Sequence, residues 1–297
     1  MDVAISGASG LIGSALAAAL RARGDAVVTI GRGADADVRW DPMAGTIDAD
    51  SLDGVHAVVH LAGESLGEKK WTDEQKDKIL ESRVRGTELI ATTIAELAVK
   101  PAVLVSGSAV GFYGDRADEK LTEASAPPPP GNFLSDVCVA WEAAAATAEA
   151  AGIRTVLLRT GIVLSKHGGA LGRMLLPFKL GLGGRIGSGR QYMSWISIDD
   201  EVGAILHAID NEALHGPLDA TGPEPVTNAE FTKALGAAVH RPTLLPTPLA
   251  PLKVVYGAEL VQRVLVEGQR VLPAALEASG YEFRHTTIDA AFAAVLA

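Results

Sequence analysis

A glycine-punctuated turn near the start of the chain constrains its fold more than any other stretch. Asp2-Val3-Ala4-Ile5-Ser6 is a short run of strand-forming residues, and Gly7-Ala8-Ser9-Gly10-Leu11-Ile12-Gly13 follows at once. From Leu11 the pattern is helical as far as Arg23, with Gly24 placed as a stop. Strand, glycine turn and helix in that order form the setting in which such a fingerprint binds a dinucleotide. Gly7 can make the tight turn, Gly10 lets a pyrophosphate approach the backbone, and Gly13 lets the helix pack close to the strand. The helix start then offers free N–H groups and a positive dipole end to phosphates. Candidate cofactor contacts here are Gly7, Ser9, Gly10, Leu11, Ile12 and Gly13.

A second strand reads Ala26 to Ile30 and runs into Gly31-Arg32-Gly33. The adenosine ribose is read at this strand end, where an acidic residue would repel a 2′-phosphate. Arg32 stands there instead, and a guanidinium can fork onto a phosphate and stack on adenine. The expected cofactor is therefore NADP(H) rather than NAD, with Asp35 and Asp37 close enough to oppose that reading.

Further along, Val38-Arg39-Trp40 reads as an edge strand and Gly45 to Gly54 as turns. Ala57 to Leu61 is a buried strand that ends in Ala62-Gly63-Glu64, small residues under which a cofactor can lie, and His60 reads as a buried strand residue. Thr72-Asp73-Glu74-Gln75 is a capping-box signature. It opens a long helix with Ile79, Leu80, Val84, Leu89, Ile90, Ile94 and Leu97 as its apolar face. Ala102 to Val105 is the next strand and delivers Ser106-Gly107-Ser108 to its carboxyl end, where open parallel sheets bind ligands. Residues 115–132 read as a surface loop, 134–151 as a helix closed by Gly152, and 155–159 as a strand. Alternating strands and helices define a doubly wound α/β sheet.

Residues 166–195 then change character, with eight glycines among five basic residues. The segment reads either as a lid whose arginines meet an anionic group or as a connector with solvated charges. Ser197-Ile198-Asp199-Asp200 opens another helix, Thr227 to Glu230 is a second capping box, and Ile288, Ala291, Phe292, Val295 and Leu296 give the final helix an apolar face. The expected organisation is a cofactor domain over 1–165 with a return segment at 194–222, a lid or substrate loop over 166–193, and a smaller, mostly helical region over 223–297.

Composition narrows the partners. The chain has 297 residues, a net charge of −10 and one cysteine, Cys138, so no internal disulfide can form. That usage fits a reducing, cytoplasmic setting. No basic-then-apolar leader precedes Asp2 and no apolar run is long enough for a membrane span. The acidic balance disfavours nucleic acid. No metal-ligand spacing occurs, a small-molecule substrate is the expected partner, and a homodimer is left open.

Seven motifs accumulate in one order: GASGLIG, HLAGE, SRVRGTELI, SGSAVGFYG, LRTGIVL, GSGRQYMSWISIDD, and the tail from VTNAEF through RVLPAALEASGYEF. Together they resemble the epimerase-family proteins, atypical extended short-chain dehydrogenase/reductases related to sugar-nucleotide epimerases. The resemblance spans essentially the whole chain. It implies a Rossmann-type cofactor domain, a C-terminal substrate-side region and bound NADP(H). Carried over by motif, Gly31, Arg32, Leu61 and Ala62 fall at adenosine and pyrophosphate contacts, Arg83 in reach of the cofactor phosphates or ribose, and Val163 at a backbone contact near the nicotinamide, while Gly63, Glu64 and Ser106 are candidate cofactor contacts from their places at strand ends. Arg83 takes the place of an asparagine found in ordinary extended members.

One departure limits what the resemblance says about chemistry. Ordinary members carry a tyrosine and, four residues on, a lysine that together shuttle a proton. Alignment on Trp141-Glu142 puts Leu134 and Cys138 at those positions. Only the serine, Ser108, remains. Tyr113 is the candidate replacement proton donor, with Tyr192, Lys70 and Glu64 as further candidates, while Cys138 reads as a core residue. Two functions stay open: an NADP(H)-dependent oxidoreductase or epimerase on a small polar substrate, and an NADP(H)-binding sensor with little catalysis.

Overall fold

The computed structural model describes residues 1–297. Eight strands form one sheet: β1 (Asp2–Ser6), β2 (Ala26–Gly31), β3 (Val38–Asp41), β4 (Thr46–Ile47), β5 (Ala57–His60), β6 (Val103–Ala109), β7 (Arg154–Thr160) and β8 (Gly216–Ala220). Their spatial order is β8-β7-β6-β5-β1-β2-β3-β4. Every pairing is parallel except β3 with β4. Chain order reverses beside β1, which places the ligand crevice between β1 and β5 at their carboxyl ends.

Helices cover both faces because alternate strand residues are apolar on each side. Val3, Ile5, Val59 and Val105 pack with α1 (Leu11–Arg23) and α5 (Ile198–Asp210). Ala4, Val58 and Leu104 pack on the other face with Ile90, Ala91 and Ile94 of α2 (Asp73–Glu96). Beside α2 lies α3 (Phe133–Ala143). Gly24 ends α1 with φ +91°, the left-handed conformation that a glycine tolerates without cost.

The third core belongs to the chain beyond residue 160. It joins α4 (Gly169–Lys179) to α6 (Asn228–Ala238) and α8 (Ile288–Leu296) around the fully buried Trp195. Phe231 and Phe292 meet edge to face at 5.1 Å. Thr227 and Glu230 close the capping box in both directions. Between α6 and α8 lies α7 (Leu249–Tyr256), which has no buried residue.

Several local expectations are corrected. β3 is not the edge of the sheet, because Thr46–Ile47, expected as turn, adds an antiparallel strand outside it. The helix expected over 134–151 is two, since i+3 bonds such as Ala145 N–H to the Glu142 carbonyl tighten the chain before a short helix at Ala146–Ala150. The glycine-rich stretch contains α4, whose Leu171, Leu175 and Phe178 are buried. The loop after residue 115 carries a short strand, Lys120–Leu121, that pairs with Arg270–Val271. On α2 the buried face near the crevice is Gln75, Arg83, Gly86 and Thr87, whereas Leu80, Val84 and Leu89 are only half-buried.

Candidate active site

The two loops that flank the reversal point touch. A Cβ on Gly7, itself at φ +73°, would lie 3.0 Å from the Ala62 nitrogen and the Leu61 carbonyl carbon. A Cβ on Gly13 would lie 2.2 Å from the Gly7 carbonyl oxygen, so α1 packs on the turn only because position 13 has no side chain. Gly10 is the N-cap of α1 and supplies no side-chain acceptor, so the first-turn N–H groups of the helix have no capping partner. Ser9 and Gly10 are exposed there, and Leu11 and Ile12 are half-buried.

At the adenosine end, Gly31 closes β2 and Arg32 is exposed beyond it. Asp37 is turned away from that position. Its carboxylate accepts the Thr29 N–H and hydroxyl, each at 2.8 Å, and these bonds hold it below the usual carboxylate range. Asp35 stays exposed, with its carboxylate over Gly33.

The floor of the crevice rests on a buried serine–histidine pair. Ser6 Oγ accepts the N–H groups of Leu61 and Ala62 at 3.2 and 3.3 Å and lies 2.6 Å from His60 Nδ1. Burial, with the Arg83 charge nearby, lowers the His60 pKa to about 4. Arg83 is itself buried. Its guanidinium donates to the carbonyls of Glu64 and Ile79 at 3.0 Å, lies 5.0 Å from the Trp141 ring centre, and makes no salt bridge. A Cβ on Gly63 would sit 3.4 Å from that guanidinium. Glu64 accepts from Gln75 at 3.1 Å, a bond that holds its carboxyl low and takes Gln75 out of its own capping box.

At the carboxyl end of β6 the hydroxyls differ from expectation. β6 continues through Ser106, Gly107 and Ser108, so both serines are buried strand residues and not turn residues. Ser106 Oγ has no partner. Ser108 donates to Glu142 Oε1 at 2.6 Å. Arg159 forks onto the same carboxylate, Nε to Oε1 and Nη2 to Oε2, both at 2.8 Å. Arg159 Nη1 then donates to the Tyr113 hydroxyl at 2.8 Å, and Tyr113 donates to Asp219.

Tyr113, the candidate proton donor, is fully buried, and its hydroxyl is engaged by Arg159 and Asp219 within this network. Burial and the Asp219 carboxylate push its pKa further up. Burial raises Asp219 as well, with Glu123 adding to it. Glu142, Arg159 and Asp219 were not expected as site residues.

Leu134 and Cys138 of α3 lie beside Gly111, and burial pushes the Cys138 thiol up to about 12. Val163 lies on a short strand, Ile162–Leu164, parallel to Trp195–Ser197. A Cβ on the neighbouring Gly169 would meet Leu11 at 3.1 Å and the Val163 carbonyl at 3.8 Å, so this segment borders the start of α1. The basic residues of the glycine-rich stretch largely bond to backbone: Arg173 to the Gly67 carbonyl, Arg185 to Ser188 and Lys166 to Ala297.

A parallel sheet with a glycine-cradled βα turn, a crevice at its reversal point and a helical C-terminal lobe defines a Rossmann-type dinucleotide-binding architecture. Residues 3–218 match the model of the NAD dependent epimerase/dehydratase family, and residues 247–295 match a C-terminal domain of unknown function, DUF1731. The chain belongs to that epimerase family. It is 46% identical over 292 residues to an epimerase family protein of Mycobacterium leprae, covering 97% of this chain and 94% of that one. It is 36% identical over 303 residues to the human epimerase family protein SDR39U1, covering both chains completely. The crystal structure of human SDR39U1 with NADPH superposes with a TM-score of 0.90 at 35% identity over 99% of each chain. A nucleoside-diphosphate sugar epimerase from Corynebacterium glutamicum gives 0.82 at 39% identity, over all of this chain and 58% of that one.

Proposed function

We propose that the chain binds NADP(H) across the β1–β5 crevice and acts as an oxidoreductase or epimerase on a small polar substrate. The observation that carries the binding is Arg83, a buried cation without a carboxylate partner at the crevice floor, beside a glycine turn with an uncapped helix start. The donor set fits the group: Arg83 and the α1 N–H groups suit phosphate oxygens, and Arg32 suits a 2′-phosphate. The bound NADPH of human SDR39U1 supports the same choice.

When bound, the nicotinamide supplies hydride. This chain's own residues must move the accompanying proton without the tyrosine–lysine pair. Ser108 is the hydroxyl in place for it, because its proton already points at Glu142. The Arg159 fork fixes the Glu142 carboxyl group beside Ser108, so Ser108 can take a proton from a substrate hydroxyl as it passes its own to Glu142. A second reading, a cofactor-binding sensor with little turnover, is favoured by Leu134 and Cys138 and by the full engagement of Tyr113.

Titration with NADPH and NADH tests the binding. Wild type should bind NADPH more tightly, and Arg32→Ala should weaken NADPH about 10–100-fold, the worth of one charge-assisted contact, with little change for NADH. Equal binding of both nucleotides by wild type sinks the NADP(H) assignment. Absorbance at 340 nm across sugar nucleotides and small carbonyl compounds separates the two functions, since a sensor gives no change with any of them.

A further inference from the structure

Large apolar side chains are exposed unevenly over the chain. Of twelve that face solvent, eight lie between Leu176 and Val264, and the other four come singly from separate segments. Single exposures are ordinary, whereas a cluster marks a contact surface. Helix α4 is apolar on two sides. Leu171, Leu175 and Phe178 enter the third core, while Leu176 and, one turn on, Leu180 face solvent. Past its end the chain is laced to residues 241–247. Arg241 Nε donates to the Lys179 carbonyl at 2.9 Å. Thr247 donates its N–H to the Arg185 carbonyl and its hydroxyl to the Gly184 carbonyl, both at 2.9 Å. This pair of segments also carries Leu182, Leu244 and Leu245, and the five leucines are between 64% and 89% exposed.

The charge around them is of one sign. Residues 166–198 hold five basic residues and no acidic one, and residues 231–258 hold three and none, in a chain of net charge −10. Lys179, Arg185 and Arg241 are exposed, and the two guanidinium groups bond to carbonyl oxygens, which leaves their charge uncancelled. We propose that this face docks the protein on an anionic lipid surface, with the leucines entering the headgroup layer and the three cations meeting lipid phosphates. Apolar side chains ringed by Lys and Arg suit that interface. A second copy joined through the same face would set cation against cation. No helix is long and apolar enough to cross a bilayer, so the contact is with one leaflet.

Flotation of the full chain with vesicles tests the proposal. The chain should float with equimolar phosphatidylcholine and phosphatidylserine and not with phosphatidylcholine alone, and added salt should release it. Leu244→Ser combined with Leu245→Ser should weaken the partition at least about tenfold, and Lys179→Glu about fivefold or more. These side chains are exposed, so Tm and NADPH affinity should stay as in wild type. No binding to the anionic vesicles, equal binding to neutral ones, or unchanged binding by the double variant overturns the proposal. A dimer that dissociates on the same double substitution would assign the face to a second copy and overturn it as well.

Discussion

Gly10 and Gly13 lie three residues apart, and alanine at each should fail for a different reason. At Gly13 an added methyl would sit 2.2 Å from the Gly7 oxygen and 2.9 Å from the Ala8 Cα, when ordinary contact begins at 3.4 Å. Both obstacles are backbone, so α1 must move off the turn by about 1 Å. Overpacking of that kind costs about 3 kcal/mol at the upper end of its usual range. Alanine recovers about 1 kcal/mol of helix propensity. The net loss of about 2 kcal/mol should lower Tm by about 4–8 °C. At Gly10 the methyl meets only the Gly7 oxygen at 3.2 Å, and φ is −76°, which alanine adopts freely. The stability cost there is about 0.5 kcal/mol, for a poorer N-cap. Yet that methyl occupies the surface a pyrophosphate must approach. Gly10→Ala should therefore nearly keep its Tm and lose NADPH affinity at least about tenfold, equivalent to 1.4 kcal/mol. Gly13→Ala should lose both. Calorimetry and fluorescence titration on the two variants decide it. If Gly10→Ala bound NADPH as wild type does, the phosphate cradle would have to be placed elsewhere.

Two further predictions concern the buried acids. Burial raises the Glu201 pKa to about 8, against a Thr160 bond that lowers it, while His60 sits at about 4. Glu201 is protonated in the fold and ionised in the unfolded chain, so its contribution is lost as pH rises toward 8. The His60 contribution is full above the unfolded value of 6.5 and is lost as pH falls toward 4. Between pH 6.5 and 8 only the first operates, and Tm should fall by at most about 3–5 °C per unit. Glu201→Gln should flatten that slope, and an unchanged slope would point to another group. Tyr113→Phe leaves Asp219 without its donor and should cost about 1–3 kcal/mol. NADPH affinity should stay as in wild type, and a large loss of affinity at unchanged Tm would return Tyr113 to the crevice.

What was legible in the sequence is what depends on neighbours in the chain. Gly7, Gly10 and Gly13 declare a turn within seven residues, and Thr227 with Glu230 declares a helix start within four. Both are present as read. The Thr72 box is half-formed because Gln75 is drawn to Glu64, eleven residues back. Asp37 looked free to oppose a 2′-phosphate, but Thr29 on the adjacent strand holds it. The network that joins Tyr113, Arg159 and Asp219 could not be read. Tyr113 and Asp219 are 106 positions apart, and no spacing rule joins a loop aromatic to a strand aspartate across that distance. Helix α4 was hidden for another reason. Glycines at 168, 169 and 172 dilute a helical pattern that only the third core stabilises.

The buried network commits the Tyr113 hydroxyl to Arg159 and Asp219. A tyrosine that exchanges protons needs a solvated or cofactor-facing hydroxyl and a cation beside it to lower its pKa. Here the cations are engaged otherwise: Arg159 is committed to Glu142 and Tyr113, and Arg83 sits under Gly63. Cys138 has its thiol pushed up by burial and cannot supply a charge. Leu134 supplies no proton at all. The carboxyl group in contact with the Ser108 hydroxyl is Glu142, which the Arg159 fork holds in place. If the chain turns over substrate through Ser108, Glu142→Gln should lower kcat/KM for alcohol oxidation and for carbonyl reduction by the same factor, because a variant cannot change the equilibrium constant, and unchanged rates would take Glu142 out of the proton path.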